Sequence, residues 1–252
     1  MTHSRPQSFD ILTALGLLTR LPIGGDSTHA QERGAHAAWS FPIVGAFIGC
    51  CLATVAAVLT WLGHSPLVQA SAVLIAQAFL TGAMHEDGLA DTVDGFWGGW
   101  TPNRRLEIMK DSMIGTYGVL ALCFSMLLRW GALWALCDTG SILWVLIAVG
   151  AMSRAPMVGF MAWMPTARRT GLSASVGRPD NQTAWIAILL AAGIGLTCLG
   201  WIAFSAVFWV TVGSGILASI AHRKINGQTG DVLGASQQIS EIILLVTLAS
   251  VF

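Results

Sequence analysis

Residues 69–99 read "QASAVLIAQAFLTGAMHEDGLADTVDGFWGG". The first fifteen positions carry no charge. Then His85, Glu86, Asp87, Asp91 and Asp94 crowd into ten residues, taking four of the chain's thirteen carboxylates. An oily run that ends in an acidic cluster reads as a membrane span delivering a polar site to the membrane surface.

Composition supports that reading. Of 252 residues, 54% are hydrophobic and 10% charged, where a soluble domain carries about 25% charged residues. Net charge is formally zero, so nothing points to nucleic acid as a partner. The N-terminal "MTHSRPQSFDILTALGLLTRLP" is not a signal peptide by pattern: its apolar core is short, Asp10 interrupts it and no small-residue cleavage site follows. The five cysteines show no metal or disulfide spacing and read as small core residues.

A spanning helix needs about 20 mainly apolar residues. Six segments qualify: 41–62, 66–84, 117–136, 142–164, 183–201 and 202–221. A seventh, about 239–252, is short, and residues 8–21 form a weaker helix stopped by Pro22, interfacial or re-entrant rather than spanning. The expected fold is therefore an all-α polytopic integral membrane protein with six to seven transmembrane helices and a short N-terminal helix. Residues 1–252 read as one membrane-embedded domain.

The loop cations orient it. Arg5, Arg20 and Arg33, then Arg104, Arg105 and Lys110, then Arg168, Arg169 and Arg178, then Arg223 and Lys224 all fall on one side, and the alternate loops contain none. The positive-inside rule makes that side cytoplasmic, together with the N-terminus and the long loops at about 85–116, 165–182 and 222–238. Tryptophans near the span ends (Trp39, Trp61, Trp134, Trp144, Trp163, Trp185, Trp201) suit an aromatic belt, and Gly45-x-x-x-Gly49 suits close helix packing.

If the second span's helix runs on, Asp87, Asp91 and Asp94 stand at i, i+4 and i+7, within about 60° of one another. Like charges on one face repel unless a cation joins them. Hard oxygen ligands suit Mg²⁺, or Mn²⁺, rather than zinc. His85 stands about 160° from Asp87 on such a helix, so it is expected to face elsewhere, in a packing or substrate role. A second cluster, "NRRLEIMKDSMIGTYG" (103–118), sets Glu107 and Asp111 four apart among Arg104, Arg105 and Lys110, and a third polar stretch (222–241) holds Gln228, Asp231 and Glu241. Carboxylates and cations beside a membrane suit a metal-bound pyrophosphate. Arg129 and Arg154 lie inside apolar spans: Arg129 reads as a structural partner of a carboxylate, and Arg154, just before a kinking Pro156, as a phosphate contact.

The order "TRLP" (19–22), "FPIVG" (41–45), "HEDGLADTVDG" (85–95), "KDSMIGTYG" (110–118), "SR" (153–154) and "NGQTGD" (226–231) resembles the cobalamin synthase family, the adenosylcobinamide-GDP ribazoletransferases, over nearly the whole chain. Glu86 departs from the family's usual apolar residue. The resemblance implies a bacterial inner-membrane enzyme that joins adenosylcobinamide-GDP to α-ribazole or α-ribazole 5′-phosphate and releases GMP. A ribose hydroxyl would attack a pyrophosphate phosphorus. On this reading Asp87, Asp91, Asp94 and Asp111 hold one or two Mg²⁺ ions, and Asp91 or Asp94 takes the nucleophile's proton. His85, Arg104, Lys110, Ser112, Arg154, Gln228 and Asp231 contact substrate. Two alternatives stand beside it. A CDP-alcohol phosphotransferase shares Asp91-x-x-Asp94-Gly95, but the Ala-Arg that should follow is missing. A cation- or proton-coupled transporter would want mid-bilayer carboxylates and inverted repeats. Nothing in the sequence decides between a monomer and a homo-oligomer.

Overall fold

The computed structural model describes residues 6–23, 33–168 and 170–252, so Arg5 and Arg169 lie outside the described residues. The elements are helical: α1 (Phe9–Leu18), a 3-10 turn (Gly34–Ser40) running into α2 (Phe41–Trp61), α3 (Pro66–Thr81), α4 (Met84–Gly98), α5 (Pro102–Ile108), α6 (Thr116–Asp138), α7 (Ile142–Met152), α8 (Ala155–Trp163), α9 (Leu172–Val176), α10 (Asn181–Leu199), α11 (Ile202–Ile225) and α12 (Gly230–Ala249). Among the described residues the only β pairing is an isolated bridge between Thr166 and Gln228. Six helical stretches are long and apolar enough to cross a membrane, with α7 and α8 together forming one, and the bent pair α3–α4 adds a seventh. The protein is an all-α polytopic membrane protein.

The predicted spans recur within a few residues, with instructive differences. The fourth is broken at Ser153–Arg154, just before Pro156, and the freed Gly150 carbonyl accepts from Arg154 Nη1 at 2.8 Å. At ten residues, α1 is about 15 Å long, too short to span. It is docked instead: the buried Asp10 carboxylate accepts from Arg33 Nε and Nη2 and from Trp39 Nε1, each at 2.7 Å. Gly45 packs α2 against α7 so tightly that a Cβ there would overlap the Gly150 carbonyl.

Two expected loops are helix. Residues 85–116 hold α4 and α5, and most of 222–238 belongs to α11 and α12. The seventh span therefore begins at Gly230 rather than near 239, and Glu241 lies within α12 rather than at its start. The polar residues that disguised it face inward and satisfy one another. Arg129 Nη1 donates to Glu86 Oε1 and to Glu241 Oε1, both at 3.1 Å, and Glu241 also accepts from Gln77 at 2.7 Å and Gln237 at 2.6 Å. Ser125 donates to Gln238 at 3.3 Å. Arg129 thus takes the structural role its sequence suggested, and the unusual Glu86 is one of its two carboxylate partners. The cysteines differ from expectation as well: Cys50 and Cys123 are exposed on the outer faces of α2 and α6, where lipid rather than protein accommodates a small apolar side chain.

Candidate active site

The acidic helix does not run on from the second span. α3 ends at Gly82 and Ala83, both left-handed (φ 65° and 55°), and α4 leaves at 87°. Gly82 adopts that conformation freely and lies under the Arg20 side chain, whereas Ala83 carries strain on the order of 1–2 kcal/mol. α4 therefore runs nearly perpendicular to α3. The expected i, i+4, i+7 face survives within α4: Asp87 is exposed, Asp91 half-buried and Asp94 buried.

Those three carboxylates have different surroundings. Asp94 accepts from the backbone N–H groups of Gly115 (2.7 Å) and Gly118 (2.8 Å), so it caps the start of α6 from a neighbouring helix. Asp87 and Asp91 accept no side-chain hydrogen bond from the described residues. Burial, then the charges of Asp87, Asp231 and Asp94, push the Asp91 carboxyl up to about 7, against a smaller opposing pull from Arg168.

Asp231 reaches this cluster because α4 and α12 touch backbone to backbone. A Cβ on Gly88 would lie 2.8 Å from the Asp231 carbonyl oxygen and 3.1 Å from Gly234 Cα. Beside the crossing lies a cavity of about 300 Å³. Its polar wall comprises His85 and Asp87 of α4, Thr229 and Asp231 at the start of α12, and Arg168 and Ser173 from the segment between α8 and α10. Phe41, Met157 and Met161 supply an apolar side. His85 and Asp87 share this cavity despite their angular separation, because it wraps the N-terminal end of α4, where first-turn side chains splay around the helix tip.

Arg168 was counted in the sequence only as a topology-setting cation. Its Nη1 lies 3.2 Å from Asp231 Oδ2, and its Nη2 donates to the Leu106 carbonyl at 3.1 Å. The segment that carries it is stitched to the α11–α12 turn: Gln228 N–H donates to the Pro165 carbonyl and Ala167 N–H to the Gln228 carbonyl, each at 2.8 Å. The Gln228 side chain accepts from Ser173 Oγ at 2.8 Å. Gln228 therefore positions the wall rather than lining it. No local pattern marks Arg168, because a loop arginine near a span end is what membrane topology requires anyway.

The other candidates lie elsewhere. Arg154 is fully buried at the α7–α8 break, with Nη1 also donating to Ser153 Oγ at 3.2 Å. Arg104 is exposed and paired with Glu107 at 3.1 Å. Lys110, Asp111 and Ser112 are exposed, Asp111 accepting only from its neighbour Met113 N–H at 3.1 Å. None of the five lines the cavity. Among the described residues no three His, Cys, Asp or Glu side chains form a ready metal cage. Magnesium does not require one, since it is commonly held by one or two carboxylates plus waters and substrate phosphate oxygens. Asp87 and Asp91, unpaired hard-oxygen donors beside Asp231, fit that mode.

An acidic helix beside a cavity lined by Asp87, Asp231 and Arg168, in a polytopic helical bundle, has the make-up of a membrane enzyme that acts on phosphate groups. The sequence profile of cobalamin-5-phosphate synthase (CobS) matches residues 10–249, and the chain belongs to that family. It is 42% identical over 248 residues to an adenosylcobinamide-GDP ribazoletransferase of Bradyrhizobium diazoefficiens, covering 96% of this chain and 93% of the relative. Proteins of the same name from Rhizobium meliloti (40%, covering 95% of each chain) and Brucella ovis (37%, covering 95% of each chain) are also similar. No solved structure matches the chain.

Proposed function

We propose that this protein is an adenosylcobinamide-GDP ribazoletransferase of cobalamin biosynthesis. The single observation that carries the assignment to a site is the meeting of Asp87 with Asp231 and Arg168 around one cavity, with Asp91 within electrostatic reach of all three, in a chain of this family. A ribose hydroxyl of α-ribazole, or of its 5′-phosphate, attacks the phosphorus next to the cobinamide. The new O–P bond forms as the bond to GMP breaks, and the hydroxyl proton passes to a carboxylate. Asp91, half-buried on the acidic face and without a hydrogen-bond partner among the described residues, is the carboxylate placed to take it. Asp87 and Asp91 would hold Mg²⁺ (or Mn²⁺), which when bound supplies charge neutralisation on the diphosphate. Asp94 fixes α6 against α4 and keeps the acidic face in place.

The placement of loop cations supports insertion in the bacterial inner membrane with the cavity on the cytoplasmic side. Arg105 donates to the Lys224 carbonyl at 2.8 Å, Lys224 to the Phe96 carbonyl at 2.7 Å and Arg168 to that of Leu106, so these cations share one end of the bundle. The test is GMP release by purified protein from adenosylcobinamide-GDP plus α-ribazole, with and without Mg²⁺. Absence of GMP with either Mg²⁺ or Mn²⁺ sinks the assignment.

A further inference from the structure

α10 and α11 follow one another through the turn at Gly200–Trp201, yet they do not close on each other along their whole length. Between them, with α8 as its floor, lies a groove of about 370 Å³ that shares no lining residue with the α4–α12 cavity. Ala155, Gly159 and Phe160 of α8, Ala191 of α10 and Val210 of α11 line it although they are buried. The groove is therefore recessed into the bundle rather than a dimple of its outer surface. Along α11 it runs from Val207 to Ala218, a rise of about 17 Å, close to one leaflet's half of a roughly 30 Å hydrocarbon core. Its wall carries one orphaned hydroxyl. Ser214 Oγ is buried without a partner among the described residues, whereas the Thr211 and Ser219 hydroxyls on the same helix donate to the Val207 and Gly215 carbonyls. A hydroxyl left free at membrane depth calls for an acceptor brought by a ligand.

The end of the groove at Trp163 is built differently. Arg178 Nε donates to the Ala162 carbonyl at 2.7 Å, which ties the exposed guanidinium beside Trp163 and leaves its terminal nitrogens without a partner among the described residues. Trp163 packs on Trp185, ring centroids 5.6 Å apart, and donates to Asn181 Oδ1 at 3.1 Å, an arrangement suited to the headgroup level. The neighbouring Asp180 is turned to the Thr183 N–H at 2.7 Å as the cap of α10. His222, exposed and four residues past Ala218 on the same face of α11, adds a donor. We infer that the groove holds an acyl chain of an anionic phospholipid, its phosphate at Arg178 and a glycerol-ester oxygen accepting from Ser214 Oγ. A leaflet-deep apolar slot fits the chain, and an unpaired guanidinium at its mouth fits the phosphate. α8 is then a shared wall, with Met157 and Met161 on the α4–α12 cavity and Ala155 and Gly159 on the lipid.

Native mass spectrometry of the full chain, released from detergent micelles doped with dioleoylphosphatidylglycerol or dioleoylphosphatidylcholine, tests this. Wild type is expected to retain phosphatidylglycerol several-fold better than phosphatidylcholine. Arg178→Gln should weaken phosphatidylglycerol about tenfold, the loss of a charge-assisted contact, and leave phosphatidylcholine unchanged. Gly215→Leu fills the groove, since a Cβ there meets nothing within 4 Å, and should weaken both lipids about tenfold. Gly131→Leu is equally unhindered but lies on α6, away from the groove, and should change neither. If Arg178→Gln gives no cooperative melt, Gly215→Leu decides, because its new side chain enters open space. Equal retention of the two lipids by wild type overturns the inference. So does phosphatidylglycerol retention that is unchanged in a folded Arg178→Gln or in Gly215→Leu, or that falls as far in Gly131→Leu as in Gly215→Leu.

Discussion

Asp94 Oδ1 accepts the Gly118 backbone N–H at 2.8 Å, joining the last acid of the sequence motif to the first turn of a membrane span. The carboxylate also holds Gly115, and a Cβ on Gly118 would overlap it. Asp94 thus acts on α6 as much as on any ligand.

Asp94→Asn replaces one acceptor oxygen with an amide donor that faces backbone N–H groups. It is expected to abolish GMP release and to cost about 1 kcal/mol of stability, the usual value of a lost cap. Thermal melting in detergent beside the GMP assay checks both, and near-normal turnover would remove Asp94 from the machinery. Gly118→Ala, which crowds the same carboxylate without changing its charge, should lower turnover in the same direction.

If Asp91 holds the cation as proposed, cation binding depends on pH. Its carboxyl shifts from an ordinary 3.8 to about 7 on folding, so the folded state holds the proton more tightly. The stability this contributes is fully present below about 3.8 and is lost as pH rises through 7. Added Mg²⁺ offsets the repulsion only once that proton has left. Mg²⁺ should therefore raise the melting temperature more at pH 8 than at pH 6; equal shifts at the two pH values would show that Asp91 does not meet the cation.

Arg129 is buried between Glu86 and Glu241. Arg129→Ala strands two carboxylates inside the bundle and should destabilise by roughly 3–5 kcal/mol. Yield of folded protein and its melting temperature report the effect, and a variant as stable as wild type would mean the network adds nothing to the fold. Glu241→Gln sets an amide donor among groups that all donate, yet should cost less, because Arg129 keeps its bond to Glu86.

Gly88→Ala pushes a methyl against the Asp231 carbonyl and Gly234. The resulting shift of α4 from α12 should cost on the order of 1–3 kcal/mol and lower turnover further than stability alone explains. Full activity at permissive temperature would show that the crossing does not set the site.

Orientation is tested by labelling from outside intact cells. A cysteine at Gly63, between α2 and α3, should react with a membrane-impermeant maleimide, and one at Lys110 only after permeabilisation. The reverse pattern would invert the topology.

Hydropathy and charge placement were enough to read the spans, the docked α1 and the acidic face, because transfer to lipid depends on local composition and a helical face depends on spacing. The beginning of α12 was not legible. Ser236, Gln237, Gln238, Ser240 and Glu241 look like a loop to any scale that treats each polar residue as facing water, whereas here they are buried. Their cost is offset by partners more than 80 positions away in sequence, such as Gln77 and Arg129 for Glu241 and Ser153 for Gln237. Arg168 and Asp231 likewise stand 63 positions apart and meet only because Gln228 stitches one loop to the next turn. Composition and spacing alone reveal the all-α membrane class, six to seven crossings and the carboxylates gathered at 85–94. Which carboxylate caps a helix, which lines a cavity and which arginine joins it there emerge only in the folded chain, since pairing of buried polar groups is settled by proximity in space.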